Sequence, residues 1–178
     1  MSRDKAFTVG EMVNTAVFAA VICAVAPFAV PIGPVPLSLA TFIIYIAAGT
    51  LGLKSGVLSV VLYVLLGVIG APVFTNFEGG FHKVAGATGG FIIGYVPCAA
   101  IIGVMTGAFG KKLRSYILGM VLGTLLLYTC GVFWFVFQTG NSFQASLLLC
   151  VLPFLPGDAV KIVASAMIAP RLRSVMRR

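Results

Sequence analysis

The chain has 178 residues, of which 60% are hydrophobic and 9% charged, with a mean hydropathy of +1.12 and a formal net charge of +8. A soluble domain carries roughly 25% charged residues, so there is too little polar surface here to cover a globule in water. At ~20 residues per crossing helix the length admits about six membrane spans and no extra domain; the basic residues are not interleaved with exposed aromatics, which excludes a nucleic-acid footprint.

Six apolar segments stand at about 12–30, 37–53, 55–71, 86–109, 113–137 and 145–169. They predict one all-α polytopic membrane domain over residues 1–178, with six transmembrane helices. Segment one is followed by no Ala-x-Ala cleavage site, so it is read as a span rather than a signal peptide. It carries Ala16, Ala20 and Ala24 at four-residue spacing. Such stripes let helix backbones approach closely in lipid. At a bundle edge this one either packs internally or docks another membrane subunit. The run Pro31-Ile-Gly-Pro-Val-Pro36 cannot continue a helix and is expected to end the segment.

Segment two opens with Pro34-Val-Pro-Leu-Ser-Leu-Ala-Thr41. Ser38 and Thr41 are three apart and either face a shared cavity or bond back to their own backbone. Gly52-Leu-Lys-Ser-Gly56 predicts a tight turn into segment three. Connector three, about 71–87, is the longest and holds Pro72, Asn76, Glu78, Gly79, Gly80, His82 and Lys83. It runs into segment four through Gly79-Gly-Phe-His-Lys-Val-Ala-Gly-Ala-Thr-Gly-Gly90. Glycine-dense backbone at a membrane mouth lines a cavity or lies under protein, and it admits close approach to a ligand. It is not a P-loop, since no Gly-Lys-Ser/Thr follows. The glycines at 86, 90, 94, 103 and 107 and at 119 and 123 are read as packing within the bundle. Phe74, Phe77, Tyr95 and Trp134 are core or interfacial aromatics by default.

Segment six holds the most informative feature, Asp158 and Lys161 in Pro153-Phe-Leu-Pro-Gly-Asp-Ala-Val-Lys-Ile. Ionisable residues at membrane depth are costly unless matched and mark a functional site. Three apart on a helix, they share a face. Pro156 and Gly157 predict a helix break and restart, with Asp158 in the first turn near the positive end of the helix dipole. The pair is either a structural lock or a ligand clamp, with aspartate accepting N–H groups and lysine meeting an anion or a carbonyl.

With a cytoplasmic N-terminus, ten basic residues fall inside: Arg3, Lys5, Lys54, Lys111, Lys112, Arg114, Arg171, Arg173, Arg177 and Arg178. Lys83 alone falls outside. This asymmetry predicts that both termini are cytoplasmic, in a multi-pass protein of the cell membrane. Cys23, Cys98, Cys130 and Cys150 are scattered singly in apolar runs, as small packing residues. With one histidine, no Gly-x-Ser-x-Gly or His-Glu-x-x-His pattern and no Walker pattern, nothing points to an enzyme, a metal site or a cofactor.

Taken in order, several pieces resemble the biotin-binding subunit of energy-coupling-factor (ECF) vitamin transporters, the BioY family. They are the Pro-Val-Pro-x-Ser/Thr opening of segment two, Gly70-Ala-Pro-Val-Phe74, the loop from Gly79-Gly80 to Thr88-Gly-Gly90, and Pro156-Gly-Asp-x-x-Lys161. The resemblance covers nearly the whole chain. It implies a high-affinity S component that captures biotin from outside and works with a transmembrane coupling subunit and cytoplasmic ATPases. Biotin is then the transported ligand, not a cofactor. It implies ligand contacts by Asp158, suited to the ureido N–H groups, and by Lys161, suited to the ureido carbonyl or the valerate. The remaining substrate-binding candidates are Ser38, Thr41, Phe74, Asn76, Gly89, Gly90 and Tyr95. Ala16, Ala20 and Ala24 stand where the family's coupling-subunit stripe belongs. Ala40 and Ala87 depart from the family's glutamine and proline. The alternatives are an S component for another vitamin, a small stand-alone facilitator, and a structural protein with the pair as a buried lock. Connector three is expected to act as a lid over ligand entry from outside.

Overall fold

Helix α1 (Val9–Val25) starts at a capping box. Thr8 Oγ1 accepts the Glu11 N–H at 3.2 Å, and the Glu11 carboxylate accepts the Thr8 N–H at 2.9 Å. These bonds satisfy orphan donors of the first turn. The structure, a computed structural model, describes residues 7–30, 35–109 and 112–176. The helix ends five residues short of the predicted segment, because Pro27 can neither donate to the ladder nor clear the preceding turn. The predicted stop at Pro31–Pro34 lies outside the described residues. A two-residue antiparallel ribbon follows, β1 (Ala29–Val30) with β2 (Leu37–Ser38), pairing Ala29 with Ser38. It is a small departure from an all-helical reading.

The ribbon also shortens segment two. Helix α2 (Ala40–Leu51) has 12 residues, about 18 Å of rise. It touches α1, α3, α5 and α8, and nine of its residues are buried. A helix apolar on every side belongs inside a bundle. Gly52 (φ 82°) turns the chain directly into α3 (Leu53–Val68). Only glycine adopts that conformation without strain. A Cβ on Gly56 would fall 2.8 Å from Ala48 Cα, so the two helices meet backbone to backbone.

Connector three is folded, with a 3-10 turn at Thr75–Phe77 and a five-residue helix α4 (Phe81–Ala85). Then come α5 (Gly89–Ala108) and α6 (Leu113–Thr139), the most extensively packed pair. Their glycines do what the spacing predicts. A Cβ would fall 2.9 Å from Leu127 Cδ1 at Gly94, 3.0 Å from Met105 Cβ at Gly119, and 3.0 Å from Cys98 Sγ at Gly123. Gly103 does the same for α3, 2.5 Å from Leu53 Cα. Gly107 differs, with nothing within 4 Å.

Segment six is broken. Helix α7 (Phe143–Cys150) and helix α8 (Leu155–Val175) meet at a 52° bend. Pro153 lies in the break and Pro156 in the first turn of α8, where its missing N–H has no helical partner to lose. Asp158 lies in that same first turn. Helices α5 and α6 are long and apolar enough to cross a membrane, as are α7 and α8 taken together, while α1, α2 and α3 are shorter apolar helices.

Candidate functional site

The site forms where the ribbon, α2, α5, α6 and the start of α8 converge. Asp158 and Lys161 are both buried there, at 5% and 8% exposure. Lys161 Nζ donates to Asp158 Oδ1 at 2.9 Å, to the Ser38 carbonyl at 2.8 Å and to Thr41 Oγ1 at 3.1 Å. An ammonium has three N–H donors, so all three are used. Tyr128 of α6 donates its hydroxyl to Asp158 Oδ2 at 2.5 Å. Burying two charges is tolerable only with such complete pairing.

Ser38 takes part through its backbone. Its side chain donates to the Ala26 carbonyl at 2.9 Å and accepts from the Ala40 N–H at 3.0 Å. The hydroxyl ties the ribbon to α1 and α2, and the carbonyl is left for Lys161. Thr41 is the reverse case. It accepts from Lys161, which leaves its own proton for another acceptor.

Asp158, Lys161, Thr41 and Tyr128 face an inner cavity of about 380 Å³, open mouth included. Val35, Pro36, Leu37, Phe91, Tyr95, Leu127 and Phe154 complete its wall. This is the usual makeup of a small-molecule site, apolar walls with a few convergent polar groups. A second cavity of about 730 Å³, open mouth included, lies under connector three, lined by Phe74, Thr75, Asn76, Lys83, Thr88 and Ile92. It shares Val35, Pro36, Phe91 and Tyr95 with the inner one.

The connector is held over this outer cavity by several bonds. Phe74 N–H donates to the Glu78 carbonyl at 2.8 Å, Asn76 N–H to the Pro27 carbonyl at 2.9 Å, and Gly80 N–H to the Gly67 carbonyl at 2.6 Å. Asn76 (φ 61°) and Phe77 (φ 58°) are both left-handed. Asparagine tolerates this; a phenylalanine does so at a cost of about 1–3 kcal/mol. Phe77 packs edge-on against Phe28, ring centroids 5.4 Å apart. Phe74 is seated against Tyr63 at 5.6 Å, in a space that exists because residue 67 is glycine. Trp134 Nε1 donates to the Gly86 carbonyl at 2.9 Å, and Gln138 bonds the Ala85 carbonyl. Both fix the end of α4 to α6.

Of the residues singled out from sequence, Asp158, Lys161, Ser38, Thr41 and Tyr95 line the inner cavity, and Phe74, Asn76 and Tyr95 the outer one. Gly89 and Gly90 line neither. A Cβ would fall 1.7 Å from the Val84 carbonyl oxygen at Gly89 and 2.3 Å from Trp134 Cβ at Gly90, so their work is close packing at the head of α5. Ala16, Ala20 and Ala24 are exposed along the outer face of α1, away from the core-facing Thr15, Ala19 and Ile22. Sequence reasoning missed Tyr128, and it placed Lys83 and Thr88 in the polar connector without counting them among the site residues. A signal for Tyr128 existed. A buried phenol needs a partner, and Asp158 is the carboxylate at depth.

The BioY family profile matches residues 1–178. The chain is 34% identical to the biotin transporter BioY of Thermotoga maritima over 93% of this chain and 96% of that one. It is 38% identical to the probable biotin transporter BioY of Pyrococcus horikoshii, over 92% and 96%. Its fold is similar to a solved S-component for biotin from an ECF-type ABC transporter, with a TM-score of 0.88, 30% identity and 95% of each chain covered. The chain belongs to the BioY family.

Proposed function

We propose that this chain is the biotin-binding S component of an ECF transporter, a substrate-capturing membrane subunit and not an enzyme. The observation that carries it is the hydrogen-bonding inventory around the buried Asp158–Lys161 pair in the inner cavity. Asp158 has about four acceptor sites, of which Lys161 and Tyr128 occupy two. The remaining lone pairs accept N–H groups. Thr41 has a proton to donate. A cyclic urea presents N–H donors beside a carbonyl acceptor and matches that pattern. With its donors satisfied, Lys161 positions Asp158 and Thr41. Phe91, Phe154 and Leu127 suit the apolar body of the fused rings.

In the bilayer, α1, α2, α3, α5, α6 and the bent α7–α8 unit make six crossings of the cell membrane, with both termini cytoplasmic. The charge asymmetry supports that orientation, although Arg3, Lys5, Lys111, Arg177 and Arg178 lie outside the described residues. Helix α2 is short for the ~30 Å hydrocarbon core. The ribbon preceding it is non-helical backbone that lines a cavity, where such backbone is tolerated. The exposed alanine stripe of α1 supports docking of a transmembrane coupling subunit, with ATPases supplying the energy for inward release. Connector three closes over the bound ligand, with Gly79 and Gly80 as hinges.

The test is calorimetry on the detergent-purified chain against biotin, thiamine and riboflavin. One-to-one binding of biotin alone is expected. Binding of another vitamin in its place would transfer the site to that ligand. Binding of none by a folded chain would remove the ligand assignment.

A further inference from the structure

We propose that Lys83 is the receptor for the ligand's carboxylate, with Glu78 holding that place until the ligand arrives. This rests on biotin as the ligand. A valerate carboxylate cannot be served at the Asp158 end of the site. Lys161 has spent its three donors, and its charge is matched by Asp158 at 2.9 Å. An anion brought there would face the Asp158 carboxylate without a spare cation.

With the cyclic urea at Asp158, the carboxylate lies at the other end of the molecule, in the outer cavity that continues past Phe91 and Tyr95. Of the residues lining the two cavities, the charged ones are Asp158, Lys161 and Lys83. Lys83 Nζ lies 2.9 Å from Glu78 Oε2, with side chains 24% and 44% exposed. An ion pair this open to water is weak and exchangeable. The ligand's carboxylate is the chemical equivalent of the Glu78 carboxylate and can take its place. Asn76 and Thr88 in the same wall add an N–H and an O–H donor. The exchange also joins binding to closure, because Glu78 and Lys83 both belong to the connector that covers the cavity.

The experiment is calorimetric titration of wild type, Lys83→Gln and Glu78→Gln with biotin and with its neutral primary amide. Lys83→Gln is expected to weaken biotin about tenfold, the scale of one charge-assisted hydrogen bond at a partly exposed site, and to leave the amide unchanged. Glu78→Gln is expected to tighten biotin and not the amide. Equal losses for both ligands, or none for either, would overturn the assignment while leaving biotin as the ligand. Failure of biotin to bind folded wild type would instead remove the reading beneath it.

Discussion

Replacing Lys161 by methionine separates a ligand clamp from a structural lock. The substitution keeps an unbranched side chain, one atom shorter, and deletes three hydrogen bonds, to Asp158, the Ser38 carbonyl and Thr41. It leaves Asp158, 5% exposed, with Tyr128 as its remaining partner. Breaking a buried ion pair from one side costs about 3–5 kcal/mol, chiefly because the surviving charge is uncompensated. Biotin binding should fall by more than a hundredfold, since the ligand's N–H groups lose a correctly held ionic acceptor and such bonds contribute about 1.5–3 kcal/mol each. The second arm is the double substitution Lys161→Met with Asp158→Asn. Removing both charges of a buried pair is often neutral for folding, so stability should return toward wild type while binding stays lost. Thermal unfolding in detergent, read beside calorimetry on the same samples, gives both quantities. Wild-type biotin affinity in Lys161→Met would refute the reasoning. So would a double variant that regains binding together with stability.

Thr41→Val deletes the hydroxyl assigned to the ligand carbonyl and should weaken biotin by about tenfold; unchanged affinity by calorimetry would remove Thr41 from the site. Gly90→Ala places a Cβ 2.3 Å from Trp134 Cβ and 2.6 Å from the Cys130 carbonyl oxygen. It should lower stability by about 1–3 kcal/mol, and full ligand affinity in the molecules that remain folded would agree with packing as its role. Ala20→Leu on the exposed face of α1 should leave biotin binding by the isolated chain intact and abolish co-purification with the coupling subunit; co-purification at wild-type level would place the docking surface elsewhere.

The charged pair was legible in the sequence because, apart from Arg114 at the edge of segment five, nothing else charged stands in an apolar segment. The restart was legible from Pro156, but the break lies ahead of the predicted place: α8 begins at Leu155, with Pro156 and Gly157 inside its first turn. The glycine spacing of segments four and five read correctly at Gly90, Gly94, Gly103, Gly119 and Gly123, where helices meet closely, and failed at Gly107, which faces open space. Three features were not legible, each because a local rule yielded to a tertiary contact. Ser38 has a hydroxyl at the right depth, yet the ribbon turns it to Ala26 and leaves its carbonyl for Lys161. Gly89 and Gly90 belong to a glycine-rich run whose composition suits ligand approach, but they open α5, and Val84 and Trp134 crowd them from the protein side. Tyr128 carried only a general signal, a phenol in need of a partner, and looks like any interfacial aromatic until α8 brings Asp158 to its hydroxyl. The lengths of α1 and α2 were overestimated because hydropathy does not register the chain leaving the helix at Pro27 or the extended backbone of Leu37–Ser38.

The assignment of biotin to a site built on Asp158 is tested most directly by calorimetric titration of biotin into the purified chain beside Asp158→Asn, with thermal unfolding as the control for folding. Tight one-to-one binding to wild type and none to a folded Asp158→Asn is the expected result. Equal biotin affinity in the two proteins would contradict it.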